Sequence, residues 1–138
     1  MKTTRNWKTI AGLVLHVLIA GIMILAGSVK LLGMFPPEEV AKLGLSGWIT
    51  VIGAGELATA ILLLVPRTSS LGILLTSSFW GGAICIHMST GTPFVLQSAL
   101  LLLTWVGAYL RIPATFSSFS ASSTVVQPSA AASEAFVS

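Results

Sequence analysis

Four stretches of the chain are almost free of charged side chains, and polar clusters separate them. They run over about residues 10–32, 48–65, 71–88 and 93–110. A helix rises about 1.5 Å per residue and the hydrocarbon core of a bilayer is about 30 Å thick, so runs of this length predict four membrane-crossing helices. In the first run His16, Ala20, Met23, Gly27 and Lys30 share one stripe at helical spacing, and Val14, Leu18, Ile22, Leu25 and Val29 share another. One stripe is small or polar and the other is aliphatic, which predicts a side turned to neighbouring helices and a side turned to lipid. The second run repeats the contrast, with Gly53, Glu56, Thr59 and Ala60 against Val51, Ile61, Leu62 and Val65. In the third, Ser77, Ser78, Gly81, Gly82 and Cys85 predict close helix approach through small residues.

The separators define the connections. Pro66 to Ser70 and Ser89 to Pro93 read as tight turns, so the helices they join should be antiparallel neighbours. The first connection is longer and has helix signals of its own: Pro36 and Pro37 at its start, Glu38 and Glu39 in a first turn, Lys42 four residues after Glu38, and Gly44 as a C-terminal cap. It predicts a short amphipathic helix lying on the outer surface, with Val40 and Leu43 toward the lipid interface. After Arg111 the chain turns to Ser, Ala, Thr, Val and Pro without an apolar period, which predicts a disordered tail. The expected organisation is an N-terminal segment 1–9, a four-helix transmembrane domain 10–112 and a tail 113–138.

Composition agrees with the pattern. Of 138 residues 54% are hydrophobic and 8% charged, against about 25% charged in a soluble domain. Seven Lys and Arg against four Asp and Glu are too few for a nucleic-acid-binding face. Their distribution carries the orientation. Lys2, Arg5 and Lys8 precede the first run, Arg67 lies between the second and third, and Arg111 follows the fourth, so an even number of spans places both termini in the cytoplasm. The first run exceeds the 7–15 residues of a signal-peptide core and is read as a span. Trp7, Trp48, Trp105 and Tyr109 suit interfacial belts, whereas Trp80 sits mid-span. A single cysteine, Cys85, excludes a dithiol motif.

Lys30 and Glu56 are the ionisable residues that need a reason, because a charge near the bilayer centre costs at least about 2.5 kcal/mol. Lys30, Glu56, His87 and Gln97 come from four different runs, and all four fall in the outer half. Side chains lean toward helix N-termini, so in an up-down arrangement Lys30 and His87 point down and Glu56 and Gln97 point up. The four vectors converge on a candidate polar pocket. Glu56 and His87 are too few for a metal site, and His16 lies too deep to join. No nucleophile triad or phosphate loop is present, so no catalytic residue is assigned.

Taken together the residues resemble the DoxX-like family of small four-helix membrane proteins. The resemblance lies in Gly27-Ser28-Val29-Lys30-Leu31-Leu32-Gly33, Leu43-Gly44-Leu45, Ile52-Gly53-Ala54-Gly55-Glu56-Leu57 and Leu64-Val65-Pro66-Arg67. It continues through Gly81-Gly82-Ala83 and His87 to Trp105-Val106-Gly107-Ala108-Tyr109-Leu110-Arg111, and covers about residues 10–112. It implies an all-α, up-down four-helix bundle in a bacterial inner membrane, as a subunit linked to quinone or to thiol and sulfur redox metabolism rather than an independent enzyme. Two functional readings follow. In one the pocket binds a quinone-like or other small amphipathic molecule, with Lys30 and His87 donating to a carbonyl, Gln97 orienting the head and Glu56 accepting or relaying a proton. In the other the protein is a non-catalytic scaffold, and Lys30 with Glu56 is a structural ion pair. The expected partners are the bilayer itself and a membrane redox protein or a second copy of the chain, with no nucleic acid.

Overall fold

The computed structural model describes residues 3–120 of the chain, with side chains over 7–117. Among the described residues the protein is all-helical and has no strand. Five α-helices follow one another: α1 (Thr3–Leu31), α2 (Pro37–Lys42), α3 (Ile49–Leu64), α4 (Ser69–Ser89) and α5 (Val95–Arg111), with a 3-10 helix, Pro113–Ser120, after them. The four long helices coincide with the four apolar runs. Only α1 and α4 are long and apolar enough to cross a membrane by themselves; α3 and α5 are apolar but shorter, at 16 and 17 residues. The helix of the first run begins at Thr3 and so takes in most of the expected N-terminal segment. Lys2 lies outside the described residues.

The long helices contact one another in a closed ring, α1 against α3 and α5, and α4 against α3 and α5. Neighbours are antiparallel. Gly27 meets Glu56 where Lys30 meets Gly53, and Gly12 meets Arg111 where His16 meets Gly107, so one chain descends as the other rises. The two stripes of α1 divide as expected: His16, Ala20, Met23 and Gly27 are buried, and Val14, Leu18, Ile22 and Leu25 are exposed. On α3, Gly53, Thr59 and Ala60 are buried while Val51, Ile61 and Val65 are exposed. The close α1–α3 crossing depends on glycine at both contact points. A Cβ on Gly27 would stand 2.7 Å from the Gly53 carbonyl oxygen, and one on Gly53 would stand 2.9 Å from that of Gly27.

On α4 the expectation is corrected. Its buried face is Ser69, Gly72, Ile73 and Thr76, and the close approach to α3 occurs at Gly72 against the Leu63 backbone. Gly81 and Gly82 have nothing within 4 Å of an added Cβ, and Cys85 is exposed. Small residues permit close packing only where a neighbour is present to use the space; here they leave it empty.

The helix ends explain the connections. Gly44 takes φ +68° and closes α2 with Leu45 N–H donating to the Val40 carbonyl, as the expected cap requires. The apolar residues here do not face outward: Val40 of α2 is buried, and Leu43 and Leu45, just after it, line the cavity described below. At the other end of the molecule, the last carbonyls of α3 need donors from outside the helix. Thr68 Oγ1 donates to Leu62, Ser69 Oγ to Leu63, and Arg111 Nη1 and Nη2 to Leu63 and Leu64 at 2.9 and 3.2 Å. Arg111 Nη1 also donates to Nδ1 of the fully buried His16 at 3.1 Å, which leaves the His16 Nε2–H for the Thr104 carbonyl at 3.3 Å. The residue read as an orientation charge therefore ties α1, α3 and α5 together.

The first eight residues of the expected tail are ordered as the 3-10 helix. Phe116 sets its ring edge-on to Trp105 and Tyr109, with centroids 5.9 Å apart in each pair. Phe116 anchors the segment through these two ring contacts, which a search for periodic apolar faces does not register. The rest of that tail, 121–138, lies outside the described residues.

Candidate functional site

One half-open cavity of about 490 Å³ is lined by residues of all four long helices, with Phe35, Leu43 and Leu45 along one side. Its size falls in the range of about 300–1,000 Å³ typical of small-molecule sites. Lys30, Glu56, His87 and Gln97, the four residues singled out from sequence, all reach its wall. Most of the remaining lining is aliphatic or aromatic, so the polar groups occupy limited positions in an otherwise apolar space.

The glycine crossing of α1 and α3 sets up the charged pair. Lys30 follows Gly27 by one turn and Glu56 follows Gly53 by one turn, in opposite directions along antiparallel helices. Their side chains lean back toward each other because Cα–Cβ bonds tilt toward helix N-termini. The ammonium donates to both carboxylate oxygens, at 2.8 Å to Oε1 and 2.7 Å to Oε2, and its third proton faces the Ala26 carbonyl at 3.4 Å. The side chains are only 13% and 14% exposed.

His87 and Gln97 form the second polar group. Thr92 Oγ1 donates to the His87 carbonyl at 3.2 Å and accepts from the ring Nδ1–H at 2.8 Å. That assignment leaves Nε2 of the neutral ring as an acceptor for Gln97 Nε2–H at 2.9 Å. The last turn of α4 and the turn leading into α5 thus hold the imidazole at both nitrogens. Gln97 Oε1 is left buried without a partner.

Trp80 belongs to the same wall, and its Nε1 is likewise buried without a partner. Sequence reasoning set this residue aside as a tryptophan that fits no interfacial belt. Its mid-helix position was itself the signal, since a buried indole N–H normally finds an acceptor. Ser78 and Gly82 line the cavity as well, so these two small residues of α4 make room rather than a helix contact. Phe79 sets the tip of its ring against Gly55 on α3 and lines that wall.

His16 stays apart from the site, bound to Arg111 and Thr104 at the far end of α1. Among the described residues no group of three or more His, Cys, Asp and Glu is placed to hold a metal ion. The donor role expected of Lys30 and His87 toward a ligand carbonyl meets protons already committed within the protein.

Comparison with known proteins gives one match: the model of the DoxX-like family aligns with residues 14–109, a stretch that includes all four candidate residues. No curated protein and no solved structure matches the chain.

Proposed function

Since the chain belongs to the DoxX-like family of membrane proteins, we propose that α1, α3, α4 and α5 form a four-span bundle whose cavity binds a small amphipathic molecule. The single observation that carries this reading is the cavity itself, about 490 Å³ of mainly apolar space with Lys30, Glu56, His87 and Gln97 on its wall and two buried polar atoms lacking partners. An empty apolar bundle has no use for such groups, because an unsatisfied buried polar atom costs about 1–3 kcal/mol. The basic residues at the start of α1, between α3 and α4, and at the end of α5 favour both termini on the cytoplasmic face, and the resemblance to the family implies a bacterial inner membrane. With their flanking apolar residues, Trp48 and Val65 for α3 and Phe94 and Ile112 for α5, the 16- and 17-residue helices come within the span length of about 17–25 residues. A quinone is the redox-linked member of the ligand class, and with it the protein would serve as a subunit beside a membrane redox partner or a second copy of itself.

The test compares the parent with Gly82→Leu, which fills the cavity at a position where an added Cβ meets nothing within 4 Å. Both full-length proteins are purified in a mild detergent and their bound lipids and quinones identified by mass spectrometry. An amphiphile, quinone or otherwise, enriched in the parent and lost from Gly82→Leu supports the reading. Identical extracts from the two proteins refute it.

A second reading, the non-catalytic scaffold, is favoured by the completeness of the Lys30–Glu56 pair, in which every ammonium proton has an acceptor inside the protein. It expects Lys30→Met combined with Glu56→Gln to keep any cellular phenotype of the parent. Loss of that phenotype in a folded double variant counts against it.

A further inference from the structure

The hydrogen-bonding capacity left free around the cavity includes both donors and acceptors. Lys30 has three protons, and they face Glu56 Oε1, Glu56 Oε2 and the Ala26 carbonyl. Both ring nitrogens of His87 are engaged, by Thr92 and by Gln97. The Ser78 hydroxyl donates to the Leu74 carbonyl at 3.1 Å. None of these groups has a proton to offer a ligand. Acceptors, in contrast, remain. The Glu56 carboxylate has about four lone-pair sites and receives protons only from Lys30, and Gln97 Oε1 has no partner. Two donors on the wall have a proton left: the Trp80 indole N–H, and the Gln97 amide, whose Nε2 carries two protons and gives one to His87.

From this accounting, and resting on the proposed reading of the cavity as a ligand site, the geometry points to a neutral amphiphile whose head carries a hydroxyl group. The hydroxyl proton goes to Gln97 Oε1 or to a free lone pair of Glu56, and the indole N–H of Trp80 supplies a donor for a ligand oxygen. A head that only accepts, such as an ether, a ketone or an oxidised quinone, can use Trp80 and the second Gln97 N–H but leaves the buried Gln97 oxygen unpaired. A carboxylate head faces the Glu56 carboxylate while the ammonium that could offset it is fully engaged. An amine cation must compete with Lys30 for one carboxylate. A hydroxyl group, donor and acceptor at once, satisfies both kinds of free atom without disturbing the ion pair. The body of such a molecule is apolar, to match the aliphatic and aromatic lining.

The matched probes are 4-octylphenol and its methyl ether, which share a body and differ in the O–H. Their binding to the purified full-length protein in mild detergent is measured by native mass spectrometry, with Gly82→Leu as the baseline for non-specific uptake. The expected result is that the parent binds the phenol about tenfold more tightly than the ether, the preference associated with one hydrogen bond to a buried acceptor. Gln97→Leu should cut that ratio, whereas Trp80→Phe should weaken both probes and leave the ratio standing. Equal binding of the two probes above the Gly82→Leu baseline, or tighter binding of the ether, overturns the hydroxyl preference and leaves the cavity reading intact. Binding of neither probe above that baseline overturns both. The wild-type ratio decides the matter even if Gln97→Leu disturbs the His87 ring and fails to fold.

Discussion

Removing one member of the Lys30–Glu56 pair should cost more than removing both. In Glu56→Gln the ammonium keeps a neutral amide oxygen and the Ala26 carbonyl at 3.4 Å, but no counter-charge. In Lys30→Met the carboxylate loses both of its hydrogen bonds, at 2.8 and 2.7 Å. Breaking a fully buried pair costs about 3–5 kcal/mol. These side chains are 13% and 14% exposed and border a cavity, so partial solvation lowers the expectation to about 2–3 kcal/mol for each single change. The double variant contains neither charge and should lie within about 1 kcal/mol of the parent, because apolar or neutral groups commonly replace such pairs without loss. The coupling energy is then about 4 kcal/mol. It is read from unfolding in mild detergent micelles titrated with sodium dodecyl sulfate and followed by far-ultraviolet circular dichroism. A double variant whose loss equals the sum of the two single losses within about 0.5 kcal/mol, the tolerance for independent sites, refutes the coupling and with it the geometric account of the pair.

Two further outcomes use the same titration. Gly53→Ala places a Cβ 2.9 Å from the Gly27 carbonyl oxygen and 3.0 Å from the Lys30 Cβ, and should lose about 1–3 kcal/mol by forcing α1 and α3 apart; Gly82→Ala, with open space around it, should be neutral or gain up to about 1 kcal/mol from helix propensity. Arg111→Met leaves the Leu64 carbonyl and the His16 Nδ1 acceptor without their guanidinium N–H donors, for an expected loss of about 2–3 kcal/mol; Arg111→Lys should recover less than half, since a single ammonium cannot fork to three acceptors on two helices.

Helix positions were legible because their cause is local. Apolar runs, prolines and Gly44 each act within a turn or two, so the bounds of α3, α4 and α5 agree with the expected runs to about two residues. The convergence of Lys30, Glu56, His87 and Gln97 was also legible. Depth along a helix follows from residue number, and side-chain lean follows from chain direction. The α4 face was misread because a row of small residues has the same pattern whether it meets a neighbour or borders empty space. Trp80 was passed over because its role depends on which atoms surround its N–H. The same limit applied to Arg111, whose charge is visible in the sequence while the α3 carbonyls and His16 that it binds lie 47, 48 and 95 residues away.

By itself, then, the sequence determined an all-helical chain, the inward and outward sides of α1 and α3, and which polar residues share one level. Only the tertiary structure decided which protons those residues have left. That inventory turns on pairings between helices: Lys30 with Glu56, His87 with Gln97 and Thr92, Arg111 with His16 and α3. A hydrogen bond is directional and short in range, so its partner is set by how backbones cross, here at Gly27 and Gly53, and not by the spacing of residues along any one helix.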